Sequence, residues 1–229
     1  MDNIIQLIDI DKFYGEAIKT QVLFKINLNI KESSFISIIG QSGSGKSTLM
    51  NIMGTLDKPT NGDVVIEGNP TYKMKKNQLS EIRNKTIGFV FQFHYLIPEF
   101  TALENILMPY FISDSKPPNE VVERAVELTN LVGIYKVKDN MANKMSGGQQ
   151  QRTAIARALM NNPKIVLADE PTGNLDSDTT ESIYKTLRKI HEEFKTTFVI
   201  ITHDRKIAER TDRIIELRDG RIEMDILSK

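Results

Sequence analysis

The sequence predicts an α/β protein with a mainly parallel core sheet, an N-terminal antiparallel β part and a helical insertion in its middle. Three observations carry this. Phe35 to Ile39, Ile165 to Ala168 and Phe198 to Ile201 are short runs, apolar almost throughout, as expected of strands covered on both faces. Between the last two, Ile183, Leu187, Ile190 and Phe194 recur at helical spacing, which makes a strand, helix, strand unit with a right-handed crossover as the default. In VLFKINLNI, by contrast, Phe24, Ile26, Leu28 and Ile30 alternate with Lys25, Asn27 and Asn29, the period of an antiparallel strand with one wet face.

In chain order, residues 1–92 and 160–229 read as an α/β core with its antiparallel part, and about 93–159 as a helical subdomain, all within one domain spanning 1–229. The helical character is clearest in NEVVERAVELTNLVG, which opens after Pro117 and Pro118 and closes on Gly133. Near the C-terminus, Asp219-Gly220 separates two alternating runs, a two-residue hairpin signal. Composition narrows the function classes. Thirty Lys and Arg balance thirty Asp and Glu, so no general electrostatic field draws the chain to nucleic acid, and none is expected as a partner. The cluster Lys73, Lys75, Lys76, Arg83 and Lys85 reads as a solvated face. Without cysteine, disulfides and thiolate metal sites are excluded. No apolar run reaches the roughly 18 residues of a spanning helix. MDNIIQLIDIDK carries Asp2 and Asp9 where a signal peptide has a basic region, so a cytosolic location is expected.

Residues 40–48, GQSGSGKST, follow the first buried strand and match the phosphate-loop pattern at Gly40, Gly45, Lys46 and Ser47. Glycines let successive backbone N–H groups of Gln41, Ser42, Gly43, Ser44 and Thr48 turn towards phosphate oxygens, and the helix that starts here adds its positive end. Lys46 can reach the terminal phosphates and Ser47 can ligate Mg²⁺. IVLADE then places Asp169 and Glu170 at a strand end, the first suited to the Mg²⁺ shell and the second to polarising an attacking water. A nucleotide's phosphates and Mg²⁺ are the expected ligands of these residues.

MSGGQQQR at 145–152 resembles the signature of the ATP-binding cassette (ABC) ATPases, LSGGQ, with Met145 in place of leucine. With it the motifs stand in the family's order: GQSGSGKST, Gln92, SGGQ, IVLADE, GNLD at 173–176 and His203. The resemblance implies an ABC-type P-loop fold and an ATPase. It implies adenine stacking on Tyr14, and a Gln92 that touches Mg²⁺ or the water and senses a membrane partner. It implies head-to-tail homodimers in which Ser146, Gly147, Gly148 and Gln149 of one chain complete the site of the other, Asp176 links the two sites, and His203 contacts the γ-phosphate.

The alternatives fit less well. A P-loop GTPase needs Asp where NKTI at 84–87 has Ile87, a small-molecule kinase has no use for SGGQ, and soluble ABC proteins of translation or repair need more chain than 229 residues. FQFHYLIPEFTALENILMPYFI at 91–112 is similar to the lipoprotein-releasing group of ABC ATPases, which also includes macrolide and peptide exporters and the cell-division ATPase. Membership implies integral membrane permease subunits docked on His94, Tyr95, Leu96 and Phe100, and a peripheral position on the cytoplasmic face of the inner membrane.

Overall fold

A computed structural model describes residues 2–15, 18–112 and 116–228. Strands β1 (Asn3–Tyr14), β2 (Thr20–Lys31), β4 (Asn61–Ile66) and β5 (Asn69–Pro70) form one antiparallel sheet in the order β2-β1-β4-β5. The second sheet contains β3 (Phe35–Ile39), β6 (Ile87–Val90), β7 (Ile165–Asp169), β8 (Thr197–Ile201), β9 (Arg213–Arg218) and β10 (Arg221–Leu227). Its order is β10-β9-β3-β8-β7-β6, parallel from β9 to β6 with β10 antiparallel at the edge.

The apolar runs alternate between two cores. Ile36, Ile38, Ile165, Leu167, Val199 and Ile201 face a cluster shared with the antiparallel sheet and with α1 (Lys46–Met53). Phe35, Val166, Ala168, Phe198 and Ile200 face the opposite cluster. That second cluster is closed by α3 (Ala102–Phe111), α4 (Asn119–Leu131), α5 (Gly147–Leu159) and α6 (Ser177–Phe194). Two short helices, α2 (Lys76–Glu81) and α7 (Arg205–Ala208), complete the α-helices among the described residues. Burial on both faces is why these strands carry no polar alternation.

Two residues depart from the expected pattern. Strand β2 has register shifts against β1 between Ile26 and Gln21, with Lys25 in the left-handed region at φ 44°. The extra residue of such a bulge rotates what precedes it. Leu23, not Phe24, is therefore buried, and Phe24 lies under the Arg221 guanidinium, 4.6 Å from its ring centre. Phe194 lies on the apolar stripe of α6 but is its last residue, 49% exposed, where it borders a surface pocket with Leu128 and Leu159. The predicted hairpin is present: β9 and β10 pair across Asp219 (φ 46°) and Gly220 (φ 72°). The Gly220 N–H donates to the Ser44 carbonyl at 3.1 Å, which ties this turn to the phosphate loop.

Candidate active site

Four parallel strands deliver their carboxyl ends to one edge, the position where open α/β sheets bind ligands. β3 leads into residues 40–48, β7 ends on Asp169 and Glu170, β8 is followed by His203, and β6 by Gln92. A cleft of about 760 Å³ is lined here by Ser42, Lys46, Ser47, Asp169, Glu170 and His203, among others.

The phosphate loop turns through Gly43 (φ 80°) and Gly45 (φ 101°), with Gly45 the cap of α1. At Gly40 a Cβ would stand 2.2 Å from the Leu217 carbonyl oxygen and 2.6 Å from the Ser44 hydroxyl, so only glycine fits. The Ser44 hydroxyl is buried without a hydrogen-bond partner among the described residues. Lys46, itself buried, donates at 2.8 Å to each of the Gly40 and Gln41 carbonyls. Burial pushes its pKa down, opposed by the negative charges of Glu170 and Asp169. Asp169 is pushed up by burial, although a hydrogen bond with Ser47 acts the other way. The Ser47 hydroxyl and the Asp169 carboxylate are thus neighbours, two hard oxygen donors side by side.

Glu170 has φ 43°, rare for a side-chain-bearing residue and a mark of a tightly determined position. Its N–H donates to the Ile201 carbonyl at 2.9 Å and its carbonyl accepts from the Gly173 N–H at 3.0 Å. Glu170 Oε1 lies 2.8 Å from His203 Nδ1. A Cβ on Gly173 would come within 3.0 Å of both Glu170 Oε2 and Gln92 Nε2, so the two side chains converge on this glycine. Gln92 itself donates to Asn174 Oδ1 at 3.4 Å.

Tyr14, 42% exposed, hydrogen bonds Thr48 at the start of α1. Its hydroxyl donates to Asp57 Oδ2 at 2.6 Å, and Lys12 Nζ lies 4.7 Å from its ring centre while bonding Asp57 Oδ1 at 2.7 Å. Burial, then Asp57, raises the Tyr14 pKa.

The signature stands elsewhere. Ser146 caps α5 in a capping box, its hydroxyl accepting from the Gln149 N–H at 3.3 Å and its own N–H donating to Gln149 Oε1 at 2.9 Å. Asp176 caps α6, accepting from Thr179 N–H at 2.9 Å and from its hydroxyl at 2.7 Å. These two helix starts touch: a Cβ on Gly148 would meet Thr179 Cγ2 at 2.7 Å. None of residues 146–149 lines the cleft around Lys46.

A second groove of about 520 Å³ runs beside the loop after Gln92, lined by Arg83, Phe91, Tyr95, Ile97 and Ile112 among others. Tyr95 is 64% exposed, whereas His94, Leu96 and Phe100 are partly buried. Phe93, which the sequence reading passed over, is 67% exposed. Its adjacency to Gln92 in FVFQFH was the available signal. The supporting residues Lys12, Asp57 and Thr179 belong to no motif, Asn174 lies within GNLD without having been singled out, and the capping box was legible as S-x-x-Q at 146–149.

A phosphate loop, a carboxylate pair at the end of β7 and a histidine just beyond β8, all at one sheet edge, define a nucleoside triphosphatase. The chain belongs to the ABC transporter family, whose profile matches residues 23–173. It is 46% identical over 224 residues (97% of this chain, 99% of the relative) to the lipoprotein-releasing system ATP-binding protein LolD 1 of Rhodopseudomonas palustris. It superimposes with a TM-score of 0.90 and 44% identity on the ATP-binding cassette MJ0796 in a dimeric post-hydrolysis state bound to ADP and Pi, covering 98% of this chain and 99% of that one. With cbiO1 of Clostridium perfringens, part of the cbiONQ transporter complex, the TM-score is 0.88 at 28% identity, covering 100% and 90% of the two chains. The chain is an ATP-binding ABC transporter subunit and an ATPase.

Proposed function

We propose that this ATPase powers lipoprotein release through separate membrane subunits. The observation that carries the reading is the near full-length identity to a lipoprotein-releasing ATPase. No helix among the described residues is long and apolar enough to cross a membrane. On this reading transport runs through partner chains, with the cassette peripheral on the cytoplasmic face and the groove beside Phe93 and Tyr95 as their docking place.

Two chains act as a head-to-tail homodimer. The support is the separation of the signature from the cleft within one chain, together with the dimeric MJ0796 relative. Backbone N–H groups of Gly147 and Gly148 at the start of α5 suit an anion presented by the partner chain. Thr179, packed on Gly148 and itself held by Asp176, supports that helix start. Residues 93–159 act as the helical unit that carries it.

In the cleft, the amides of residues 41–48 and Lys46 bind the phosphates, with the adenine on Tyr14. Ser47, Asp169 and Gln92 would hold Mg²⁺, and their oxygen donors match its preference. Bound there, the ion supplies charge neutralisation to the β- and γ-phosphates. Glu170 accepts a proton from, or orients, the water that attacks the γ-phosphorus in line, and His203 holds the Glu170 carboxylate at 2.8 Å and contacts the γ-phosphate. ADP leaves with its β-phosphate oxygen, and water oxygen ends in inorganic phosphate.

The Glu170→Gln chain should bind ATP and accumulate as a nucleotide-trapped dimer on size exclusion, with hydrolysis nearly abolished. Wild-type turnover in that variant refutes the role of Glu170. Purification of the tagged chain from detergent with its membrane partners, followed by identification of their cargo, tests the transport reading. Bound macrolide or peptide in place of lipoprotein would overturn it.

A further inference from the structure

The loop between Gln92 and the exposed aromatics is held in an unfavourable backbone shape. His94 (φ 57°) and Tyr95 (φ 47°) are consecutive left-handed residues, and neither is glycine. Such residues cost free energy each and persist only where their surroundings over-determine them. The Tyr95 N–H closes a tight turn on the Phe93 carbonyl at 2.5 Å, and the His94 N–H reaches the Phe91 carbonyl at 3.2 Å. The outward carbonyls of both strained residues then converge on one side chain. Arg157 Nη2 donates to the His94 carbonyl and Arg157 Nη1 to the Tyr95 carbonyl, each at 2.6 Å. Arg157 forms no ion pair among the described residues, so its charge serves these two carbonyls. A planar fork of donors can hold two adjacent carbonyls at once, which an ammonium cannot do in one geometry.

Arg157 lies in the last turn of α5, whose first turn is the signature. Eleven residues separate Ser146 from Arg157, about 16 Å of helix at 1.5 Å per residue. The C-terminal end of α5 is seated on β6, where a Cβ on Gly88 would stand 2.4 Å from the Ala158 carbonyl oxygen. One rigid element therefore joins the helix start aimed at the partner's nucleotide to the loop that presents Phe93 and Tyr95.

We propose that Arg157 is a positioning residue that couples the two, so that a displacement of the signature helix on ATP binding is passed to residues 93–97, and movement of that loop is passed back. The inference rests on the dimer reading above. Its specific content is the guanidinium bridge between α5 and the loop.

Hydrogen exchange with mass spectrometry on the full chain tests it in a Glu170→Gln background, with and without ATP. The expected result is that ATP protects amides 146–149 and changes exchange in 93–97. Adding Arg157→Lys should raise exchange in 93–97 on the order of tenfold, from loss of one charge-assisted bond, and should make it insensitive to ATP while protection at 146–149 persists. Arg157→Gln, which loses the charge and keeps one neutral donor group, should raise exchange in 93–97 at least as much, and it serves if Arg157→Lys does not fold. A merely structural role would raise exchange without removing the ATP response. An ATP response at 93–97 that survives both substitutions overturns the proposal while leaving the dimer intact. Failure of ATP to protect 146–149 in the parent overturns the dimer reading, and this inference with it.

Discussion

Gly148 has no need of glycine's conformational freedom, because it sits in the first turn of α5 and is not among the residues with positive φ. Its need is space. A methyl group there would stand 2.7 Å from Thr179 Cγ2, closer than real Cβ contacts come. Thr179 cannot simply rotate away, because its hydroxyl donates to Asp176 Oδ2 at 2.7 Å and its N–H to Asp176 Oδ1 at 2.9 Å. Gly148→Ala should therefore either strain the contact or break the Asp176 cap, at a cost of about 1–3 kcal/mol by the usual scale of overpacking. Thr179→Ser removes the offending methyl and keeps the hydroxyl. In that background Gly148→Ala should be neutral or stabilising, since alanine exceeds glycine in helix preference by up to about 1 kcal/mol. Urea unfolding of the four chains of this double-mutant cycle gives the coupling, and ATPase assays should show activity lost in Gly148→Ala and recovered in the double variant. Additive effects, with coupling below about 0.5 kcal/mol, would refute the steric account. Gly88→Ala is the contrasting case, since its methyl would meet a backbone carbonyl, that of Ala158, for which no side-chain exchange can make room.

Lys46→Ala should lose ATP affinity measured by calorimetry; unchanged binding would count against the phosphate-loop assignment. Asp57→Asn removes the charge that holds both Lys12 and the Tyr14 hydroxyl, and should cost about 1–3 kcal/mol in urea unfolding and weaken ATP binding. Unaltered nucleotide affinity there would separate Tyr14 from adenine. Burial, and then the nearby Arg157 charge, holds the His94 pKa below its usual 6.5. The folded chain thus binds this proton less well than the unfolded one. Stability from this group is present above pH 6.5 and is lost as pH falls through the lower folded value. His94→Gln should flatten the decline of unfolding free energy between pH 7.5 and 5, and an unchanged slope would discount the effect.

Much of the site was legible because phosphate loops and strand-end carboxylates obey local rules: glycine where the chain turns back, carboxylates directly after an apolar run. The double-sided strands were legible for the same reason, since Phe198 to Ile201 must satisfy two cores and so cannot alternate. The misreadings arose where long-range pairing overrides local period. The β2 alternation fits Phe24 as well as Leu23 until the bulge at Lys25 decides it, and that bulge is set by pairing with β1. Phe194 follows the helical period of α6 to its last residue, where it is half exposed. Strands β4 and β5 passed unrecognised, as did the contacts of Arg157 and Thr179, which join segments 62 and 31 residues apart for Tyr95 to Arg157 and Gly148 to Thr179.

The two ends of α5 differ in what holds them, and this bears on how a signature could move. At the C-terminal end the neighbour of Gly88 is the carbonyl of Ala158, part of the helix itself, and Arg157 adds two bonds to the loop beyond β6. At the N-terminal end the neighbour of Gly148 is the methyl group of Thr179, belonging to α6, and one turn further on Arg152 donates to Ser182 Oγ of α6 at 2.8 Å, while the signature's own polar groups are satisfied internally by the Ser146 and Gln149 box. Backbone packing with directed hydrogen bonds resists displacement more than a methyl contact, which loses only dispersion when it opens. Rotation about the β6 end would open the Thr179 contact and the Arg152–Ser182 bond, and it would swing the Gly147 and Gly148 amides through the largest arc while their cap travels intact. A helix hinged this way sends its greatest movement to the partner's nucleotide and a smaller, geometrically linked one to the loop bearing Phe93 and Tyr95.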